Sequence, residues 1–131
     1  MHSPKITIFS GVVLLFFAVL IGAFGAHALS DLLTENNRVD VFNTASRYHF
    51  YHGFALILLG VIGRLYKNFV LPAAMFLCFL FGALIFSGSL YLLAVLNIGW
   101  LGAITPIGGT LLLVAWGMFA YNLYFYSKDL E

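Results

Sequence analysis

The stretch ITIFSGVVLLFFAVLIGAFGAHAL, from Ile6 to Leu29, contains no charged residue across 24 positions. As an α-helix it is about 36 Å long, which is enough to cross a hydrocarbon core of about 30 Å. The tripeptide 26–28 is similar to a signal-peptidase site, but about 20 apolar residues precede it, more than the roughly 7–15 of a signal peptide. The stretch therefore predicts a retained membrane-spanning helix.

Three further apolar runs follow, and none alternates polar and apolar residues as the strands of a β-barrel do. The second ends at Gly63, and about 20 residues counted back from Arg64 place its start near Thr44. The third is interrupted by Ser87-Gly88-Ser89, which leaves open either one kinked helix or a break. We therefore predict an all-α integral membrane four-helix bundle of antiparallel up-down topology, with residues 1–131 as a single transmembrane domain. Its spans are expected at about 6–29, 44–63, 70–96 and 102–126.

The composition favours a membrane protein over a soluble one. Hydrophobic residues make up 63% of the chain and charged residues 8%, against about 45–50% and about 25% in soluble domains. A soluble chain of 131 residues would not bury so much apolar surface, because small domains bury a smaller share of their area. A formal net charge of +1 without any basic run argues against nucleic acid as a partner. The expected partners are membrane lipids and other membrane proteins, including further copies in a homo-oligomer.

Basic residues next to the predicted spans indicate the orientation, because cytoplasmic loops carry an excess of Lys and Arg. Four lie on one side of the membrane and two on the other: Lys5, Arg64, Lys67 and Lys128 against Arg38 and Arg47. This bias predicts a multi-pass protein of the bacterial inner (cytoplasmic) membrane with both termini in the cytoplasm. Residues 30–43 would form an outer loop, and Asn37 followed by Asp40 is typical of a helix cap with an acidic third residue. An amphipathic lead-in to the second span is expected there.

Polar side chains within the predicted spans gather towards the outer ends of the helices. Counting about 1.5 Å per residue from the cytoplasmic charges places them in the outer third of the bundle. This candidate polar cluster consists of His27, Arg47, His49, His52, Ser87, Ser89 and Thr105. The same motifs are also typical of capping and packing, since small residues let membrane helices approach closely.

The spacing of small residues also indicates where the helices pack closely against one another. The candidate packing residues are Ala18, Gly22 and Ala26, spaced four apart, together with Gly108 and Gly109. If Gly22 lies in a close helix contact, Gly22→Leu should overpack it and destabilise the fold by ~1–3 kcal/mol.

The histidines suggest the sharpest chemical hypothesis. His49 and His52 share one helical stripe, and with His27 from another helix they present ligands of the kind that bind metals or carry protons. However, the chain has no HExxH motif and no carboxylate within the spans. We therefore expect neutral, hydrogen-bonded histidines, with no metal, no cofactor and no catalytic residue.

Four motifs in order resemble the YgdD-like family of small bacterial membrane proteins, which is similar to eukaryotic transmembrane protein 256. They are GAFGAHAL at 22–29, the pair Tyr48 and His52, FSGSLYLLA at 86–94 and TPIGG at 105–109. The resemblance covers nearly the whole chain and implies a four-helix inner-membrane protein of unknown function, without known catalytic residues. His27 and His52 match the family pattern, whereas Arg47 and His49 are not part of it.

Three functions compete. The leading hypothesis is a non-enzymatic structural, interaction or accessory membrane protein. The alternative is a transporter or channel for a small solute or ion, with a polar mouth at the outer end. A His-ligated metal or haem protein is the third. Proton-coupled drug export is disfavoured, because it relies on a membrane-embedded carboxylate.

Overall fold

The computed structural model describes residues 2–66 and 68–126. All regular structure in these residues is helical, so the predicted all-α class is confirmed. Five α-helices and one short 3₁₀ helix follow in chain order: α1 (Pro4–Ala26), α2 (Ser30–Glu35), α3 (Val39–Leu65), α4 (Ala73–Leu96), the 3₁₀ helix (Gly99–Ala103) and α5 (Thr105–Tyr126).

Three of the described segments are long and apolar enough to cross a membrane. They are Pro4–Ala26, Ala73–Leu96 and Gly99–Phe125, with mean hydropathies of 2.6, 2.2 and 1.6. At 27 residues, helix α3 is as long as the longest of these three segments. However, its first half contains Asp40, Arg47 and His49, which lower its apolar character. The predicted second span, 44–63, lies within α3 and stays a prediction.

The third apolar run forms one continuous helix, which settles the alternative left open by its serines. Within α4, the Ser89 hydroxyl donates to the Phe86 carbonyl at 3.0 Å, so the polar group is satisfied inside the helix. The helix begins after Pro72 and ends at Leu96, and the next residue, Asn97, has a left-handed φ of 53°. This conformation commonly ends helices.

The predicted cap at Asn37 is wrong. Residue Arg38 occupies the N-cap position of α3, and no side chain there bonds the first turn. Asn37 instead has a φ of 54°, a left-handed conformation that Asn tolerates, and it separates α2 from α3. Asp40 does lie in the first turn of α3, where the helix dipole favours an acid.

The long helices pack in chain order. Helix α1 packs mainly on α3, α3 on α4, and α4 on α5. The main core lies where α3, α4 and α5 meet, and its fully buried residues include Leu56, Leu59, Met75, Phe79 and Ala115. A smaller core at the other end joins α2, α3 and α4 through Leu33, Phe42, Tyr91 and Ala94.

Helices α1 and α3 meet through glycines. A Cβ added at Gly11 would lie 2.7 Å from the Gly53 carbonyl oxygen, and one at Gly60 would lie 2.8 Å from the Pro4 carbonyl oxygen. A Cβ at Gly25 would overlap the Phe42 ring. Such close approach of backbones is typical of membrane helices, which gain packing contacts from it.

The structure corrects the predicted packing ladder on α1. Ala18 is fully buried, but Ala26 is exposed, and the nearest atom to a Cβ added at Gly22 is the Ser46 hydroxyl at 3.8 Å. The reason is geometric: at 3.6 residues per turn, each step of four residues rotates about 40° away from the contact. A step of seven residues rotates back by only about 20°, so Ala18 is followed in the contact by Gly25.

Helices α4 and α5 also meet through small residues. Gly108 lies against the backbone of Phe86, and its added Cβ would be 2.9 Å from the Gly82 carbonyl oxygen. An added Cβ at Gly109 would be 3.6 Å from the Phe86 ring, an ordinary contact. Of the two candidate packing glycines on α5, only Gly108 therefore lies at a close approach.

Candidate functional site

The predicted polar cluster does not form a single group: some of its residues contact a neighbouring helix, and others lie on the surface. His52, His49 and Ser89 are buried between helices, where each contacts a different partner. His27 and Arg47 lie on the surface. Counting heights along the spans had placed all of these residues towards the outer ends of the helices, but height does not fix the direction in which each side chain points.

His52 connects α3 to α5. Its ring is 4% exposed, its Nδ1 lies 2.7 Å from the Tyr48 carbonyl oxygen, and its Nε2 accepts from the Trp116 indole at 3.3 Å. A carbonyl only accepts hydrogen bonds and an indole N–H only donates them. Nδ1 therefore carries the proton and Nε2 the lone pair. His52 is thus a neutral imidazole with both nitrogens bonded, and neither is free to bind a metal.

His49 lies one helical turn away and faces α4 and α1. Its Nδ1 is 3.4 Å from the Tyr91 hydroxyl, and the two rings meet edge to face. The backbone of Leu14 on α1 lies close to the His49 ring, and the buried Nε2 has no hydrogen-bond partner within the described part of the chain. His49 is therefore packed between three helices, although it does not belong to the resemblance motifs.

The serines of α4 differ in their bonding. The Ser89 hydroxyl lies 2.8 Å from that of Thr105, which joins the interior of α4 to the first residue of α5. Ser87 is 2% exposed, and its hydroxyl makes no hydrogen bond. Ser89 and Thr105 thus pair as a polar link between helices, and Ser87 does not join them.

His27 does not belong to the cluster, and that part of the prediction is wrong. It follows the last residue of α1 and is exposed. Gly25 packs against Phe42, and Phe42 precedes His52 by ten residues, about 15 Å along a helix. In residues 2–66 and 68–126, no three His, Cys, Asp or Glu side chains lie close enough to bind a metal ion.

Arg47 also stays outside the cluster. It is exposed, and its Nε donates to the Asn43 carbonyl at 3.4 Å. At the same end of the molecule, a small cavity of about 220 Å³ lies between α1, α2 and α3. Its polar lining comes from Ser30, Asn43 and Ser46, none of which the sequence had indicated.

A hollow lies between α3 and α5, with α4 as its floor. We call it the aromatic groove; its volume is about 660 Å³. Its lining includes Tyr48, Tyr51, His52, Phe86, Thr110 and Trp116. Trp116 packs edge to face on Phe79, with ring centroids 5.2 Å apart. The sequence did carry a signal for it, because a Trp far inside an apolar span needs a partner for its N–H group.

A second feature missed in the sequence is the role of Asn36. Its side-chain amide donates to the carbonyls of Ala94 and Val95 at 3.0 and 3.2 Å. These carbonyls belong to the last turn of α4, where no intrahelical donor is available. The segment between α2 and α3 therefore caps α4, and Arg38 adds a bond from its Nε to the Asn97 side chain at 3.2 Å.

The apolar helices and the buried polar links between them define a small, all-helical membrane protein. Residues 21–109 match a family described as "Protein of unknown function (DUF423)", and the chain belongs to this family. The predicted membership in a family of small membrane proteins of unknown function is thereby confirmed.

Relatives from several bacteria carry the same kind of name. A "UPF0382 membrane protein" of Staphylococcus epidermidis is 41% identical over 112 residues, which cover 86% of this chain and 89% of the relative. The "UPF0382 membrane protein YwdK" of Bacillus subtilis is 37% identical over 115 residues, 87% of this chain and 92% of the relative. A relative in Haemophilus influenzae is 40% identical over 115 residues, 88% and 90% of the two chains. No solved structure matches the chain.

Proposed function

We propose that this chain is a non-enzymatic accessory protein of the bacterial inner (cytoplasmic) membrane, acting through contacts with lipids and with other membrane proteins, including further copies of itself. The observation that carries this proposal is the use of the buried polar side chains. His52 bonds Trp116, His49 contacts Tyr91, and Ser89 pairs with Thr105, so these groups hold helices together. Polar groups that bond one another in this way serve assembly rather than proton transfer to a substrate.

The proposal includes four membrane spans in antiparallel, up-down order. It is supported by the sequence of contacts between neighbouring helices. Gly11 lies against Gly53, and Gly25 lies against Phe42. Residue numbers in contact therefore rise along α1 and fall along α3, as they do in two antiparallel helices. Helices α4 and α5 follow the same rule, with Gly82 near Leu112 and Ser89 near Thr105. At 27 residues, about 40 Å, α3 is long enough to be the remaining span even with its first turns at the interface.

We further propose that both termini lie in the cytoplasm. Support comes from the basic residues Lys5 and Arg64, which lie at the same end of α1 and α3 because Pro4 packs near Gly60. Lys67 and Lys128, which also contribute to the predicted basic bias, lie outside the described residues.

Single-cysteine labelling in a Cys78→Ser background tests the topology. Thr34 and Asn68 are both exposed, and they lie on opposite sides of the proposed membrane. We expect a membrane-impermeant maleimide to label Thr34→Cys in intact cells and Asn68→Cys only after permeabilisation. The reverse pattern would show the opposite orientation. If both cysteines were labelled from the same side, an even number of spans would separate residues 34 and 68, and the four-span arrangement would be rejected.

Metal analysis and visible absorption of the purified protein test the proposal against the alternative of a metal or haem protein. We expect no stoichiometric metal and no haem band, because both ring nitrogens of His52 are already bonded. Stoichiometric metal or haem that is lost in His27→Ala and His52→Ala alike would instead establish a cofactor protein.

A further inference from the structure

The aromatic groove has the form of a binding site for the ring of a lipid. Its floor is Phe86, on which the Tyr48 ring stacks with centroids 4.5 Å apart and planes 30° apart. The indole of Trp116 forms the opposite wall and is fixed by its bond to His52. A groove of about 660 Å³ with flat aromatic walls offers stacking surfaces to a planar ring.

The depth of the groove limits the charge of what enters it. Phe86 lies ten residues before the end of α4, and Trp116 lies eleven residues after the start of α5, about 15–16 Å from the helix ends in each case. In the proposed four-span arrangement, on which this inference rests, that depth is near the middle of a core of about 30 Å. A charged headgroup is strongly disfavoured there without a partner.

The lining agrees with this limit, because none of the described residues that form the groove carries a formal charge. Its polar groups are the hydroxyls of Tyr48, Tyr51 and Thr110 and the bonded pair of His52 and Trp116. Such groups suit the carbonyl or hydroxyl substituents of a neutral ring. They do not suit a phosphate, which calls for Arg, Lys or a row of backbone N–H groups.

A second, apolar hollow adjoins the groove and could hold the hydrocarbon tail of the same lipid. This hollow of about 470 Å³ shares Tyr51 and Trp116 with the groove and extends along α3 to Val61. Its other lining residues include Phe54 and Leu58, and its surface is almost entirely apolar. The two hollows together therefore form a mostly apolar groove with aromatic walls and a few hydroxyl groups, which adjoins a shallow apolar hollow along α3.

We propose that this groove binds a neutral lipid with a planar ring and an isoprenoid tail, of the prenylated quinone class. The ring lies between the stacked pair of Tyr48 and Phe86 on one side and the Trp116 indole on the other, and the tail follows α3 past Phe54 towards Val61. Binding is non-covalent and involves no electron transfer by this chain.

Two matched glycine variants test the proposal. Gly109 lines the groove, and a Cβ there makes only ordinary contacts, whereas a Cβ at Gly117 on the same helix has no neighbour within 4 Å. Gly109→Leu should fill the groove, and Gly117→Leu adds the same bulk outside it. Both are placed in a Trp100→Phe background, so that Trp116 is the fluorophore.

The proteins are reconstituted in phospholipid nanodiscs and titrated with a short-chain prenylated benzoquinone while Trp116 fluorescence is followed. We expect saturable quenching with the same midpoint for the unaltered groove and for Gly117→Leu, and a midpoint at least tenfold higher for Gly109→Leu. Lipids extracted after purification from native membranes should contain a neutral ring lipid in about equimolar amount in the first two proteins only.

Quenching that does not saturate, or that is equal in all three proteins, would overturn the proposal, and so would phospholipid as the only equimolar lipid. If Gly109→Leu does not fold, as judged by near-UV circular dichroism, Thr110→Phe provides a second way to fill the groove from an exposed position. The cysteine labelling described above separates a failure of the four-span topology from a failure of lipid binding.

Discussion

Along α3, the face towards α1 brings two backbones together at Gly53 and Gly60, whereas the face towards α5 holds a groove between aromatic side chains. On the first face, a single added Cβ would collide with a carbonyl of the neighbouring helix. On the second, the link runs through one hydrogen bond, from Trp116 to His52. The same helix therefore uses backbone packing on one side and polar bonding on the other.

The difference follows from the physics of membranes. Lipid tails are as apolar as Leu side chains, so helices gain little from the hydrophobic effect when they associate. Close packing and hydrogen bonds remain as the attractive forces. The face of α3 towards α1 uses close packing, and it has no space for a ligand at Gly11 and Gly53. The face of α3 towards α5 uses a hydrogen bond. The bond between His52 and Trp116 holds the two helices together while the groove beside it stays open.

The largest effect is expected for Gly11→Leu, on the closely packed face. The new side chain would meet the Gly53 carbonyl oxygen and the backbone of Ile57 at less than 3.0 Å, and backbone atoms cannot rotate away. Overpacking of this kind costs ~1–3 kcal/mol, and we expect a value near the upper limit. Reversible unfolding in mixed micelles of mild detergent and dodecyl sulfate measures it. Gly117→Leu is the control, and equal stability of the two variants would contradict the close approach of α1 and α3.

Much of the helix order could be predicted from the sequence, because long apolar runs without charge have few alternatives in a membrane. The predicted spans 70–96 and 102–126 differ from α4 and α5 by three residues at the start and by none at the end. The side chains that make contact were harder to predict. Height along a helix follows from counting, but the rotation of each helix about its axis depends on its neighbours.

The candidate site shows this limit in particular residues. His52 was predicted as a neutral, hydrogen-bonded histidine, and its bonds to Tyr48 and Trp116 confirm that. His27 was placed in the same cluster because counting along the first span put it near the outer ends of the helices, but α1 ends before it, and the side chain is exposed. The cap formed by Asn36 joins positions almost 60 residues apart, a contact that no local pattern predicts.

An intermediate effect is expected for Trp116→Phe, on the face with the groove. The substitution keeps an aromatic ring but removes the indole N–H, so Nε2 of a His52 that is 4% exposed loses its donor. Hydrogen bonds between membrane helices contribute ~0.6 kcal/mol on average and up to about 1.7. We expect a loss of ~1 kcal/mol in the same unfolding assay.

Trp100→Phe serves as the control for this prediction, because Trp100 is 66% exposed and should tolerate the change. Nitrogen-15 chemical shifts of His52 give an independent measurement, since they report the Nδ1–H tautomer in the unaltered protein. Two results would contradict the hydrogen bond between Trp116 and His52. One is a His52 that is protonated on Nε2, and the other is equal stability of the Trp116→Phe variant and the unaltered protein.

The smallest effect is expected for Gly22→Leu, which decides between the two registers proposed for the α1 face. The four-residue spacing of Ala18, Gly22 and Ala26 predicts a loss of ~1–3 kcal/mol from overpacking. In the structure, a Cβ at Gly22 has 3.8 Å of clearance to Ser46 and borders a cavity of about 220 Å³, so the Leu side chain has room. We therefore expect a change below ~0.5 kcal/mol, as for substitutions away from packed contacts.

Gly25→Leu, three residues later, is the matched comparison, because its side chain would overlap the Phe42 ring and should be clearly destabilising. If Gly22→Leu lost as much stability as Gly25→Leu, α1 would be rotated from the orientation described here, and the four-residue ladder would be the true contact with α3.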